Sequence, residues 1–340
     1  MYDTEKLGGL LHRVFNSKDE GTDYQDFKTY VSKVFSRQGM PDPVMIHQLN
    51  ELMVREADQL AKPIVDDVLG LFANIVREQP GNVVMHKIPE NTNAKFVWTA
   101  NGSDVDYIRL EAGSEVVATP RKMSTGIYYE PDSLAKGDVD AFNETIANIR
   151  DAKVKLYLDS VYKLMDTAIA QGDIPANNVT VGTGITIADY NKLASRIARL
   201  GGGKPVFFAD SLLIEYLAMQ QASDATLSKL LTDDVKGQLL SDLNITQIGR
   251  TVAIDLVNPF TDASNSKTEL PVNKGFMFAG ALGGRKPFEI VEYGDMYQLS
   301  GMDIEDERIK VKIQQRASVA LLHGQAVGVV EEEDTSKVSL

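Results

Sequence analysis

The most regular hydrophobic pattern in the chain runs from residue 132 to residue 171. Apolar side chains recur there every three or four positions, which predicts one long amphipathic helix. With Asp138 as N-cap and Gly172 as the stop, the helix would be on the order of 50 Å long. Charged residues at 150, 151 and 153 interrupt the stripe and argue against a coiled coil. We expect the buried face to consist of Phe142, Ile146, Ile149, Leu158, Val161 and Leu164.

Helical spacing also marks the beginning of the chain. Two short apolar patterns, at 7–15 and 24–35, cannot form a core by themselves. They predict either an arm that packs on another molecule or a helical pair folded back on its own domain, and the pattern does not decide between these. A further helix begins at Pro43, and we expect Pro63 to break or kink it. A second helical segment is predicted at 64–76.

Residues 82–131 have a β-type pattern. Short runs of β-branched and aromatic residues alternate there with turn formers, and Asn101-Gly102 is a strong hairpin-turn dipeptide. The pattern predicts an extended antiparallel loop. Because the segment has few apolar residues for its length, we expect the loop to lie on a neighbouring molecule. The alternative is a small β-subdomain packed within the same chain.

The rest of the chain alternates strands with helices. Strands are expected at 179–181, 206–208, 251–257 and 275–281, and helices at 187–200 and 211–219. Strict alternation near the C-terminal end predicts a strand with one buried face. Its two faces would be Ile309, Val311 and Ile313 against Lys310, Lys312 and Gln314. A second strand at 318–322, after a bulge, and a third at 326–330 would complete a ribbon.

Composition and charge narrow the class of protein. A chain of 340 residues that is 43% hydrophobic and 24% charged indicates one large or two modest folded domains. The absence of cysteine excludes disulfides, thiolate metal sites and cysteine nucleophiles. The net charge is −13, and no dense group of Lys and Arg occurs along the sequence. This argues against a dedicated DNA-binding protein but not against a container around DNA.

No apolar run approaches the ~20 residues of a membrane span, so we expect no membrane partner. Residues 1–10 also lack the apolar region of a secretory signal.

Motifs that would carry chemistry are missing. The four histidines are scattered without metal-ligand spacing and are interpreted as surface or core residues: His12, His47, His86 and His323. The glycines at 201–203 precede Lys204 but lack phosphate-loop spacing, and Pro205 follows, so we interpret them as a helix-to-strand turn. Gly182 and Gly184 have no third glycine at dinucleotide-binding spacing. We therefore predict that the protein is not an enzyme, with no catalytic, cofactor-binding or metal-binding residues and no cofactor.

The order of elements, and several local segments, resemble a known family. Segment 303–316 (DIEDERIKVKIQQR), with Val319-Ala320-Leu321-Leu322 and Ala326-Val327, is similar to the closing ribbon of tailed-bacteriophage major capsid proteins. Residues 204–216 resemble the strand and helix of the axial domain in that family, and Ile248-Gly249-Arg250, 275–280 and 287–292 resemble its later strands. The Hong Kong 97-type fold of this family also occurs in encapsulins.

The resemblance implies an α+β fold with named parts. They would be an N-terminal arm (1–40), peripheral-domain helices (41–81), an extended β-loop (82–131), a spine helix with peripheral domain (132–178), an axial domain (179–300), a peripheral-domain β-ribbon (301–331) and a mobile acidic tail (332–340). Some members form a Lys–Asn cross-link. Because 303–308 contains no Asn, we expect no covalent cross-linking.

The resemblance also implies a function. The subunit would self-assemble into hexamers and pentamers of an icosahedral shell that encloses double-stranded DNA without sequence-specific binding. It would be assembled in the host bacterial cytoplasm and belong to the virion capsid, with scaffolding, portal or decoration proteins as partners. The alternatives are an encapsulin-like nanocompartment with the same fold and, from another class, a soluble α/β enzyme. The enzyme would need a pocket of converging polar groups.

Overall fold

The computed structural model describes residues 9–10, 12–14, 22–35, 43–87, 115–130, 139–201, 203–223, 247–256, 258–279, 286–303 and 308–338. The helices in these ranges include α1 (Asp23–Phe35), α2 (Pro43–Val68), α3 (Val139–Gln171), α4 (Ile187–Gly201) and α5 (Ser211–Ser223). The strands include β1 (Ala73–Glu78), β2 (Met85–Lys87), β3 (Glu115–Val117), β4 (Arg121–Tyr129), β5 (Val179–Gly182), β6 (Val206–Ala209), β7 (Gln247–Ile248), β8 (Thr251–Asp255), β9 (Lys274–Phe278), β10 (Phe288–Met302), β11 (Ile309–Leu321) and β12 (Val327–Glu332).

A four-stranded sheet has the strand order β1-β10-β11-β4. β1 runs parallel to β10, and the other two pairs are antiparallel. One face of the sheet packs on α2 and α3, because alternate residues of β11 point to the same side. Ile309, Val311 and Ile313 are buried there with Leu49 of α2 and Ile149 of α3.

A six-stranded sheet has the order β5-β12-β9-β6-β8-β7. Its central strands are buried on both faces, which explains why β6 and β9 are nearly continuous apolar runs. Phe207 and Met277 lie on one face with residues of α4 and α5. Phe208, Phe276 and Phe278 lie on the other, in a cluster that includes residues of α3 and of the four-stranded sheet.

Aromatic rings join the two sheets. The ring centroid of Phe72 lies 5.2 Å from Phe208, 5.0 Å from Phe278 and 5.9 Å from Phe288. Phe208 and Phe278 belong to the six-stranded sheet, whereas Phe288 begins β10. Burial of such rings contributes strongly to stability, so this cluster holds the sheets together through a shared core.

The predicted long helix is present as α3, while residues 131–138 lie outside the described part of the chain. Ile146, Ile149, Leu158 and Val161 are buried, as predicted. Leu164 is half-buried against the shared core. The side chain of Phe142 lies outside the described residues.

Of the break or kink predicted at Pro63, the break is wrong, because α2 continues through that residue. Pro63 lies on the exposed side of α2, so water can bind the carbonyl group that loses its helical hydrogen bond. Ala61 and Val65 are fully buried on either side and hold both halves of the helix in the core.

The prediction of helix at 64–76 is also partly wrong. α2 ends at Val68, a short 3-10 turn follows, and Ala73 begins the edge strand β1. Ile75 and Val76 are β-branched residues that pair with Ile290 and Val291 of β10.

The structure shows the folded-back alternative for the second N-terminal pattern, and this corrects the assignment of 1–40 as an outlying arm. Phe27, Tyr30 and Val31 of α1 are buried against residues of α2 and α3. Residues 12–14 also contact the same domain, since His12 Nδ1 lies 2.6 Å from Glu56 Oε1. Three apolar side chains of α1 therefore already have a core.

The boundaries at 300 and 331 need correction. β10 was assigned to the axial domain up to residue 300, but it is a central strand of the four-stranded sheet. β12 was assigned to the peripheral ribbon, but it lies between β5 and β9 in the six-stranded sheet. The bulge expected within 309–322 is instead a register shift in β10 between Tyr293 and Tyr297, and β11 is continuous.

The segment 332–340 was expected to be a mobile tail, but its described residues are packed. Val338 is buried against residues of α4 and β9. The fully buried carboxylate of Glu332 accepts hydrogen bonds from the amides of Gly184 (2.7 Å) and Ile185 (2.8 Å). Burial alone would raise the pKa of Glu332, but hydrogen bonds from the backbone amides of Gly184, Asp334 and Ile185 keep this pKa below its usual value.

Of the segment 82–131, residues 88–114 lie outside the described residues, including the Asn101-Gly102 turn. β2 and β3 pair in antiparallel fashion, as expected at the base of a β-loop. β4 was expected to belong to the excursion, but it is an edge strand of the four-stranded sheet. The strands β5, β6, β8 and β9 and the helices α4 and α5 confirm the pattern predicted for 179–281.

Candidate assembly surfaces

The outer face of the four-stranded sheet, turned away from α2 and α3, is exposed along one half of its length. Cross-strand neighbours form two rows: Leu299, Lys312 and Gly126, then Gly301, Lys310 and Tyr128. The side chain of Leu299 is 58% exposed and that of Tyr128 is 62% exposed. A groove of about 1060 Å³ runs over these rows. We call this region of β4, β10 and β11 the open face.

Cations accompany the apolar side chains of the open face. Lys310 pairs with Asp303, and the guanidinium of Arg308 lies 4.7 Å from the ring centroid of Tyr128. Farther along β11, Arg316 lies directly opposite Lys122 of β4, and both are exposed. Like charges in directly opposed positions destabilise a sheet. An anionic partner on this face would offset that repulsion.

The other half of the outer face is covered by the base of the β-loop. Val84 and Ala118 pack on Val291 and Tyr293 of β10, and Tyr293 Oη donates to the carbonyl of Ala118 at 3.4 Å. His86 is also buried there, with Nδ1 3.1 Å from Glu289 Oε1. The described base of the loop and the open face therefore occupy two different halves of the same sheet surface.

Buried charges connect α3 to the inner face of the four-stranded sheet. Lys153 Nζ lies 2.9 Å from Asp58 Oδ1 of α2 and 2.8 Å from Glu292 Oε1 of β10. Tyr157 Oη donates to Glu292 Oε1 at 2.8 Å. Burial, reinforced by the charge of Glu292, raises the pKa of the Tyr157 hydroxyl, so it remains a donor. Arg77 Nε completes the set, 3.1 Å from Glu292 Oε2.

Sequence reasoning missed this network, because Lys153 was interpreted as an interruption of the apolar stripe. It lies on the buried face of α3, and its side chain is 3% exposed. The available signal was one lysine at an inward position together with Asp58 at an inward position of α2.

Within the described ranges, no group of three or more His, Cys, Asp or Glu side chains could hold a metal ion. The described histidines have different partners: His47 Nδ1 lies 2.8 Å from Gln298 Nε2, whereas His12 contacts Glu56 and His86 contacts Glu289. Of the segment interpreted as a helix-to-strand turn, Gly201 ends α4, and β6 begins at Val206. None of the described helices is long and apolar enough to cross a membrane.

Comparison with known proteins identifies the family. Residues 6–331 match the model of the family described as "SPbeta prophage-derived putative capsid protein YonB". The chain belongs to this prophage capsid protein family. It is 53% identical over 332 residues to the "SPbeta prophage-derived uncharacterized protein YonB" of Bacillus subtilis (strain 168), covering 97% of this chain and 98% of that protein.

A solved phage structure supports the fold of this YonB family member. The match to the structure titled Microbacterium phage Oxtober96 has a TM-score of 0.51 at 13% identity, and covers 78% of this chain and 90% of that chain. The SrpI encapsulin from Synechococcus elongatus PCC 7942 is a weaker match, with a TM-score of 0.46 at 11% identity over 80% of this chain and 87% of that one. The α+β fold of tailed-phage capsid proteins, predicted from the sequence, is confirmed. Family and fold are those of a structural capsid protein of phage origin.

Proposed function

We propose that the protein is the major capsid protein of a tailed bacteriophage. It self-assembles into hexamers and pentamers of an icosahedral shell that encloses a double-stranded DNA genome, and it has no enzymatic activity. The observation that carries this proposal is the open face beside the root of the β-loop. It combines exposed Leu299 and Tyr128 with the directly opposed cations Lys122 and Arg316 farther along the sheet, which suits a contact with another subunit better than contact with water.

The β-loop of a neighbouring subunit is the proposed occupant of the open face. The sequence places Asp104 and Asp106 directly after the Asn101-Gly102 turn. These acids complement Lys310 and Lys312 on the open face. The loop and the open face are different parts of the subunit, so a contact between the loop of one subunit and the open face of the next is heterologous. Rotational repetition of such a contact closes a ring. Many modest contacts of this kind stabilise a closed shell.

The parts of the subunit take the following proposed roles. α3 is the spine helix, the four-stranded sheet with α2 is the peripheral domain, and the six-stranded sheet with α4 and α5 is the axial domain. Scaffolding, portal or decoration proteins are the other proposed partners. Assembly takes place in the cytoplasm of the host bacterium, and the product is the capsid of the virion.

Electron microscopy of the purified full-length protein tests the proposal, with two variants at Leu299. Wild type is expected to form shells. Leu299→Glu adds an anion and removes an exposed apolar contact, so shells should be lost while the melting temperature changes little. Leu299→Met keeps the apolar contact and should assemble normally. Shells of Leu299→Glu at full yield would exclude the open face as an interface. Particles filled with a protein cargo rather than DNA would identify an encapsulin-like compartment instead.

A further inference from the structure

A second concentration of positive charge lies on the six-stranded sheet domain, away from the open face. α4 exposes Lys192, Arg196 and Arg199 at positions i, i+4 and i+7, which is one side of a helix. The sequence between Asp189 and Asp210 contains no acidic residue. In a chain with a net charge of −13, this is an unusual stretch.

The fold adds two further cations from separate segments. Lys204 and Arg250 are exposed and precede β6 and β8, two parallel neighbours paired through Val206 and Val252. Both cations therefore lie at the same edge of the sheet, where α4 ends. We call Lys192, Arg196, Arg199, Lys204 and Arg250 the basic edge. It was not visible along the sequence, because three separate segments contribute to it.

A tight turn holds Arg250 beside α4. Gly249 has a φ of +56°, and a Cβ atom at this position would lie 2.3 Å from Asn191 Oδ1. Only glycine allows both this backbone conformation and this approach. The groove along α4 is lined by Ala188, Asn191, Lys192, Ser195, Arg196 and Arg199, so apart from Ala188 its lining consists of neutral hydrogen-bonding side chains and cations.

Internal ion pairs neutralise the basic edge only in part. Lys192 pairs with Asp189 at 3.0 Å, in an exposed i,i+3 contact that is worth little. Arg196 donates one hydrogen bond to the carbonyl of Asn177 and retains other guanidinium donors. No ion pair is recorded within the described residues for Arg199, Lys204 or Arg250.

We propose that the basic edge binds the phosphodiester backbone of double-stranded DNA, and that it therefore faces the interior of the shell. From Lys192 to Arg199, α4 advances about 10 Å, a length over which duplex DNA presents about six phosphate charges. The apolar side chains of the open face suit a protein partner, whereas the basic edge offers mainly cations, an amide and a hydroxyl. These groups contact phosphates without reading sequence. The inference rests on the proposed function, since the enclosed genome is the polyanion.

Binding of a DNA duplex to the full-length protein, at concentrations at which the subunits have not assembled into closed shells, tests this inference. The variant Arg196→Gln/Arg199→Gln/Arg250→Gln removes three cations of the basic edge. The control Lys28→Gln/Lys163→Gln/Lys267→Gln removes three exposed cations elsewhere, so both triple variants change the net charge from −13 to −16. Fluorescence anisotropy with a duplex of about 30 base pairs, between about 50 and 200 mM salt, gives the salt dependence of the affinity.

The basic-edge variant is expected to lose at least about tenfold in affinity at the lowest salt. The decrease of its log affinity with log salt should become less steep, by about 0.9 in slope for each lost phosphate contact. The control should bind like wild type. Equal slopes for the two triple variants would overturn the proposal. So would binding of polyglutamate that is as strong as binding of the DNA duplex and is weakened to the same extent in the basic-edge variant. Electron microscopy of the same proteins distinguishes failure of this inference from failure of the proposed function. If shells are normal but the basic-edge variant binds DNA as the control does, only this inference is refuted. If the wild type forms no shells, the proposed function is refuted.

Discussion

At the scale of single residues, buried charge ties the long helix to the sheet. Lys153 bridges Asp58 and Glu292, whose side chains are 3% and 1% exposed. Lys62 extends the network, with Nζ 3.0 Å from Asp58 Oδ2 and 2.8 Å from Asp295 Oδ1. Partial burial alone would lower the pKa of Lys62, but hydrogen bonds to Asp295 and Asp58 raise it. Such a network fixes the position of α3 relative to β10, because the geometry must satisfy every charge at once.

Replacing Lys153 with alanine should destabilise the subunit strongly. The change leaves Asp58 and Glu292 buried with fewer counter-charges, which typically costs about 3–5 kcal/mol. The control is Lys163→Ala on the same helix, where Lys163 is 75% exposed and pairs with Asp159. Loss of that exposed pair should cost about 0.5 kcal/mol or less. Urea denaturation measures both values, and a similar shift of the two midpoints would contradict the structural importance of the network.

At the scale of elements, α3 is the part on which both sheets depend. Its N-terminal half packs on α2 and β11 through Ile146 and Ile149, and its C-terminal half contributes Tyr162 to the shared core. The ring centroid of Tyr162 lies 4.6 Å from that of Phe276 in β9. A fault in α3 should therefore affect the whole subunit rather than one sheet.

Ile149→Asp should prevent folding of the subunit. Ile149 is 3% exposed in the apolar core, and an unpaired carboxylate there costs on the order of several kcal/mol. Leu156→Asp is the matched control, because Leu156 lies on the same helix and is 40% exposed. Circular dichroism and the soluble yield distinguish the two outcomes. Soluble Ile149→Asp protein that still assembles would contradict the assignment of this helix face.

The local sequence pattern was sufficient to predict those elements whose type, helix or strand, does not depend on distant partners. The run at 206–208 and the alternation at 309–313 each predicted a strand, because a buried or half-buried strand leaves its own periodicity in the sequence. Pairing of distant segments leaves no such trace. The position of β12 and the packing of Glu332 against Gly184 join residues nearly 150 positions apart.

The candidate surfaces, too, could be predicted where a local pattern was enough and not where distant strands had to pair. Alternation predicted that Lys310 and Lys312 face away from the core, which the structure confirms. The rows that place Leu299 and Tyr128 beside them depend on strand register. Register follows from packing of the buried face, and Ile313 and Gln298 pair there across two strands.

At the scale of the whole molecule, two unlike surfaces suit two unlike partners. The open face combines apolar side chains with cations and lies beside the root of the β-loop. The basic edge lies on the other sheet and presents mainly charge. A wall subunit needs both kinds of contact, one with its neighbours and one with the shell contents. Separation of the two surfaces predicts that variants of one leave the other function intact.

Loop deletion tests the neighbour contact without disturbing the core. Removal of residues 100–106 should leave the subunit folded, because the sequence predicts a projecting hairpin there and such a hairpin would support no core. Shell formation should weaken, because the deleted strip is the part proposed to lie on the open face of a neighbouring subunit. Circular dichroism and electron microscopy are the two measurements. An unfolded product would show that the segment is internal structure, and full assembly would show that it is only a surface loop.

A charge swap identifies the pair of surfaces more specifically than the deletion. Asp104→Lys/Asp106→Lys and Lys310→Glu/Lys312→Glu each place like charges at the proposed contact, so each variant alone should fail to form shells. The combined variant restores opposite charges and should recover assembly, because the two changes compensate only if these groups meet. Lys310 also pairs with Asp303 within the subunit, so melting temperatures must show that each variant is folded. Failure of the combined variant to assemble, with all variants folded, would separate the loop from this face and leave the open face to a different partner.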